Sequence, residues 1–171
     1  GIGSVGHLGM EVVKAAISGG GGSSSGGAVH VPYNGNPAVM NALLAGQVQM
    51  ALIPPGLALA QVRAGKLKAI GVTGGRSVMA PEVPPLRDAG VNMQDLEVWT
   101  ALVGPARLSK AATERLSREV PTLVREGEAR QRLFSAGWQA QGGSPEALRL
   151  RVKSETSLLG GIILMQNIKL E

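Results

Sequence analysis

Two hydrophobic periods run through this chain, and the switches between them mark its elements. Val48, Met50 and Leu52 alternate with Gln47, Gln49 and Ala51, the period-two pattern of a half-buried strand. The apolar run 67–73, bounded by Lys66 and Gly74, predicts another strand, and 96–103, which carries Trp99 and stops at Gly104-Pro105, a third. Elsewhere the period lengthens. Leu8, Val12 and Ala15 or Ala16 share one face of a helix over 7–17. Further helices are predicted over 56–64 closed by Gly65, from the cap Ser109 to about Arg125, and over 128–136 closed by Gly137. Residues 86–89 form one helical turn closed by Gly90. Ser144-Pro145-Glu146 combines a cap, a proline at the first position and an acid in the first turn, and starts a helix that Gly160-Gly161 interrupts.

The stretch 30–52 spells a strand–turn–helix–turn–strand unit. Asn34-Gly35 is a turn dipeptide. Asn36 can cap the helix and Pro37 fits its first position, where a missing N–H costs nothing. Gly46 supplies the left-handed residue that ends it. Strands alternating with helices predict an α/β fold with mainly parallel sheets. The alternation ceases near 92–97, after which one strand is followed by helices only. The run 19–27 holds nothing but Gly and Ser, a flexible-linker composition set between a helix and a strand.

Composition narrows the function classes. At 171 residues the chain can bury a core of its own, roughly 70% of its extended surface. Its aromatic residues are Tyr33, Trp99, Phe134 and Trp138, so that core is aliphatic. The net charge of +5 comes from scattered Lys and Arg with no interleaved aromatics, which argues against nucleic acid as a partner. No helix sets a basic face against an aromatic one, which argues against a membrane surface. A mild attraction for anions remains. No run of apolar residues is long enough to span a bilayer, and no signal-peptide pattern opens the chain.

Candidate chemistry concentrates at the start. Gly1-Ile2-Gly3-Ser4-Val5-Gly6 matches G-x-G-x-x-G, but the acid needed about 20 residues later is missing: none stands between Glu11 and Glu82. A nucleophile elbow needs Gly two residues before the Ser, where Ile2 stands. His7 and His30 are the only histidines and there is no Cys, too few ligands for a zinc site. What remains is a small-residue turn opening a helix, whose free N–H groups and positive dipole end suit a carboxylate. The same glycines could equally serve only the geometry of the turn.

The texts His30-Val31-Pro32-Tyr33-Asn34-Gly35 and Leu44-Ala45-Gly46-Gln47-Val48-Gln49 carry a family resemblance. So, in matching order, do Gly3-Ser4-Val5-Gly6-His7-Leu8, Ala64-Gly65-Lys66-Leu67, Val72-Thr73 with Arg76-Ser77, Pro81-Glu82-Val83-Pro84, Trp99, Gly104-Pro105 and Asn167-Ile168-Lys169. The chain resembles the solute-binding proteins of tripartite tricarboxylate transporters, the Bug family. The resemblance implies a periplasmic-binding-protein-like (type II) α/β fold of two domains with the ligand between them. Residues 1–92 would be the second ligand-binding domain. Residues 93–171 would be a crossover strand and C-terminal helices completing the first domain, whose N-terminal part is absent here. Family members have a short turn at 19–27, so the Gly/Ser run reads as an engineered or placeholder loop, with a natural mobile loop as the alternative.

The resemblance further implies a periplasmic, monomeric protein that is not an enzyme, uses no cofactor or metal, captures a small organic carboxylate and hands it to the membrane permease subunits. A periplasmic ligand-sensing module for a signalling receptor is the alternative. Gly3, Ser4, Val5 and Gly6 would hold the carboxylate through backbone groups, with the Ser4 hydroxyl as an added donor and His7 capping or supporting the turn. His30 reads as a structural histidine. Tyr33 either places its hydroxyl at the ligand or packs the turn with its ring. Thr73 closes a strand and is a further candidate contact; nearby Arg76 reads as a solvated surface cation. Many family members place Asp where Ile53 stands here, to meet a ligand ammonium or hydroxyl. Isoleucine would leave an ammonium unpaired at a cost of roughly 3–5 kcal/mol, so the expected ligand has no amino group at that point.

Overall fold

Helices form where capping and periodicity agree. The computed structural model describes residues 1–17, 28–91, 93 and 95–169; the Gly/Ser run 19–27 lies outside the described residues. Among these, six α-helices run over Val5–Ile17 (α1), Asn36–Leu44 (α2), Pro55–Arg63 (α3), Lys110–Arg125 (α4), Gly127–Ser135 (α5) and Pro145–Met165 (α6), with a 3-10 turn at Leu86–Ala89. Ser109 caps α4 by accepting from the Ala112 N–H at 3.3 Å, and Ser144 caps α6 by accepting from Ala147 at 3.1 Å. Helix α2 ends as expected: the Gly46 N–H reaches the Leu43 carbonyl at 3.1 Å and the Gln47 N–H the Ala42 carbonyl at 2.9 Å, with Gly46 at φ 72°. Its start differs. Asn36 is the first helical residue and makes no capping bond; Gly35, at φ 87°, takes the cap position.

Gly160-Gly161 does not break α6, which continues to Met165. A methyl group added at either glycine would meet nothing within 4 Å. Gly160→Ala and Gly161→Ala should therefore each stabilise the helix by about 0.5–1 kcal/mol, since glycine loses more backbone freedom than alanine on becoming helical. Thermal unfolding checks this; a lowered midpoint in either variant would show a contact at that face.

The expected α/β fold of the periplasmic-binding-protein type, with mainly parallel sheets, is not found. Among the described residues there is no sheet, and pairing is limited to two isolated bridges, Val72 with Pro85 (parallel) and Ser77 with Ala80 (antiparallel). The segments 28–33, 47–52, 67–73 and 96–103 are extended or irregular but join no ladder. The reason is visible at the first bridge. The Val72 N–H donates to the Pro84 carbonyl at 3.0 Å, and the Leu86 N–H donates to the Val72 carbonyl at 2.9 Å. The next rung toward the N-terminus would need an N–H from Pro84, which has none. The next rung in the other direction falls where the chain curls into the 3-10 turn. The alternation 47–52 is equally poor in β-formers, with Val48 its one β-branched residue.

The chain divides into two compact units, Gly1–Val98 with Leu159–Glu171, and Trp99–Leu158. In the first, Leu59, Ala80 and Val83 form a buried cluster on which Ala69, Val72 and Met79 pack. Leu8, Gly9 and Val13 are the buried face of α1. Gly9 lets Leu52 and Leu96 come close: an added Cβ would lie 2.7 Å from the Leu52 Cδ1 and 3.3 Å from the Leu96 Cδ1.

The second unit is held differently. Among the described residues no side chain of α4 or α5 is buried, although the two helices pack together. Polar clamps do part of the work. The Trp99 indole N–H donates to Glu155 Oε2 at 2.6 Å, Arg151 Nε donates to Glu155 Oε1 at 2.7 Å, and the Arg151 guanidinium lies 5.5 Å from the centre of the Trp99 ring. One carboxylate thus holds both members of a cation–π pair. Arg125 donates to the carbonyls of Gln141 and Gly142. Gly142, at φ 59°, has no room for a side chain there, its Cβ position lying 2.8 Å from the Pro121 carbonyl oxygen.

Candidate functional site

The turn ahead of α1 is closed by its own residues. The Ser4 N–H donates to the Gly1 carbonyl at 3.1 Å, and the Ser4 carbonyl accepts from the Leu8 N–H at 2.9 Å. The His7 N–H donates to Ser4 Oγ at 3.2 Å, so Ser4 caps the helix with its oxygen and keeps its own hydroxyl proton available. The Gly3 N–H donates to His7 Nδ1 at 3.0 Å, with Gly3 at φ 74°, a backbone setting that disfavours a side chain. An accepting nitrogen carries no proton, which puts the neutral ring's proton on Nε2.

Two N–H groups of the first helical turn remain. Among the described residues, those of Val5 and Gly6 have no hydrogen-bond partner. They sit at the positive end of a 13-residue helix, where a negative charge is stabilised. Gly6 is pressed against the chain at Leu52: a Cβ there would lie 2.8 Å from the Leu52 carbonyl oxygen. Ile53, half-buried, follows that contact directly.

The His7 ring closes the turn by accepting from the Gly3 N–H. The unforeseen partner is His30. The two imidazoles stack with centroids 3.8 Å apart and an interplanar angle of 7°. His7 Nε2 lies 3.8 Å from Glu11 Oε1, and Glu11 is held at 2.9 Å by Lys14. Burial pushes the His7 pKa down from the ordinary 6.5, and the neighbouring His30 pushes it further down. Glu11 opposes these effects, while Lys14 adds to them. Burial lowers His30 as well, against the pull of Glu11.

Tyr33 comes near the turn through its backbone: the Tyr33 carbonyl oxygen lies 3.7 Å from the Cβ position of Gly1, and it accepts from the Gly35 N–H at 3.1 Å. Thr73 makes no hydrogen bond to the turn among those described. Its hydroxyl donates to the Leu96 carbonyl at 2.7 Å. Arg76 donates to the Pro81 carbonyl at 3.3 Å and is exposed. The structure therefore gathers Gly3, Ser4, Val5, Gly6 and His7 into one turn with Leu52–Ile53, His30 and the Tyr33 backbone beside it. Among the described residues no group of three or more His, Cys, Asp or Glu could hold a metal ion, and no helix is long and apolar enough to cross a membrane.

Known proteins resemble this chain along most of its length. A "UPF0065 protein" from the tcbD-tcbE intergenic region of a Pseudomonas species is 30% identical over 130 residues, 75% of this chain and 39% of the relative. A "UPF0065 protein" of Bordetella pertussis is 32% identical over 117 residues, 68% of this chain and 34% of the relative. Another, from the clcB-clcD intergenic region of Pseudomonas knackmussii, is 28% identical over 138 residues, 79% of this chain and 81% of the relative. The chain thus spans well under half the length of the first two. The sequence model described as "Tripartite tricarboxylate transporter family receptor" matches residues 1–166. The likeness read from the HVPY and LAGQVQ texts is thereby upheld, and the chain belongs to the tripartite tricarboxylate transporter receptor family.

Proposed function

We propose that this protein captures a small organic carboxylate in the periplasm and delivers it to the membrane permease subunits of a tripartite tricarboxylate-type transporter, binding without catalysis. Membership of the receptor family supports the class of function. The observation that carries the site is the pair of unpartnered N–H groups, Val5 and Gly6, at the start of α1. In this reading Gly3, Ser4, Val5 and Gly6 cradle the carboxylate. Small side chains let it approach the backbone, and the Ser4 hydroxyl adds a donor. His7 keeps the turn closed behind it. Tyr33, Ile53 and Thr73 contribute further contacts. The Thr73 proton is committed to Leu96, so that hydroxyl offers a ligand only its lone pairs.

Ile53 selects against an ammonium group, so plain or apolar carboxylates should bind and amino acids should not. A thermal-shift panel of both classes tests this. A bound carboxylate at 100 times its dissociation constant should add ~2.7 kcal/mol of stability. Ile53→Asp should weaken that carboxylate at least tenfold by placing a second negative charge beside it. Unchanged affinity in titration calorimetry would remove Ile53 from the site, and a panel in which no carboxylate shifts the midpoint would remove the turn.

A further inference from the structure

We propose that His7 and His30 form a pH-sensitive latch on the turn ahead of α1: neutral, the stacked pair holds the turn closed through the Gly3–His7 bond; protonated, it releases it. The geometry requires the coupling. His7 Nδ1 is the acceptor of the Gly3 N–H at 3.0 Å. The neutral ring already carries its proton on Nε2, so a second proton can go only to Nδ1. That converts the acceptor into a donor facing another donor, and the bond is lost. The cation so formed lies against the His30 ring at 3.8 Å. Charging both rings would set two positive charges face to face, so the rings titrate as a pair.

The surroundings bias the latch toward closure. Glu11, on α1, favours the charged ring but shares its carboxylate with Lys14 through contacts at 2.9 and 3.0 Å. Lys14 opposes protonation of both rings. With folded-state values below the ordinary 6.5, the pair contributes its full stability above about pH 6.5 and loses it as the pH falls through the lowered values, because the unfolded chain then binds more protons. This is a property of the chain itself and does not require an anion in the turn.

An amide and imidazole NMR titration of the ligand-free protein tests it, from about pH 8 down to about pH 4.5, the range in which histidine changes charge. The Gly3 amide should shift together with the His7 ring, at a midpoint below 6.5. In His30→Phe, which keeps a flat ring but removes the neighbouring charge, the His7 midpoint should rise. A Gly3 amide that stays still while His7 titrates would overturn the latch. So would a His7 midpoint that His30→Phe leaves unmoved. Should that variant fail to fold, the Gly3 response in the unaltered protein decides the matter alone.

Discussion

Leu8→Ala should destabilise the first unit by about 2–5 kcal/mol, the range for truncating a fully buried leucine. Leu8 is 2% exposed and is the largest fully buried side chain among the described residues. It lies on the face of α1 that also buries Gly9 and Val13. Losing it leaves a cavity under the helix that presents the Val5 and Gly6 N–H groups. Two readouts should move together: the urea midpoint should fall, and amide exchange across α1 should quicken. Leu8→Met, which keeps most of the volume, should cost less than about 1.5 kcal/mol. A Leu8→Ala loss below about 1 kcal/mol would mean that the site collapses around the gap, and α1 would not then be anchored by this residue.

Gly6→Ala should cost roughly 1–3 kcal/mol, as overpacking does. The new methyl group would sit 2.8 Å from the Leu52 carbonyl oxygen. That neighbour is backbone, so no side-chain rotation relieves the clash; α1 or the chain at 52–53 must move. Gly6 and Gly160 are both helical, yet the same substitution has opposite expected signs. Helix propensity favours alanine at each, and packing reverses the outcome at Gly6 only. If the turn binds a carboxylate, Gly6→Ala should also lower affinity by displacing the N–H groups of the first helical turn. A Gly6→Ala protein as stable as the parent, compared by thermal unfolding, would show that the α1–Leu52 approach is looser than described.

Local chemistry made the helices legible. Ser109, Ser144-Pro145, Gly46 and Gly65 act within a few residues of themselves, and each does locally what its type suggests. Gly160-Gly161 misleads because glycine lowers helix propensity without forbidding the helix. The absence of a sheet was not legible. Alternation such as Val48, Met50, Leu52 does not say which segment lies beside it, and here it does not report burial either, since Met50 is 47% exposed. Leu102 and Val103, read as part of a strand, are 67% and 82% exposed, so even burial did not follow from the pattern there. The turn 3–7 was legible because small residues before a helix point to free N–H groups. The His7–His30 stack was not, because two histidines far apart in sequence meet only through the path of the chain between them. Thr73 was expected to close a strand, and no strand forms there; its commitment to Leu96 depends on a carbonyl far away in sequence.

The pair Pro84-Pro85 has a consequence for how the protein behaves in company. Ile70, 67% exposed, and Val98, 51% exposed, lie on segments outside the helices, and exposed apolar segments able to pair are the surface on which strands of neighbouring molecules add and aggregates grow. Growth along the segment at 84–85 needs amide hydrogens in succession, and two adjacent positions there have none to give. Pro84, which stops the ladder inside the molecule, and Pro85 beside it also deny a template along 84–85 to any chain arriving from outside.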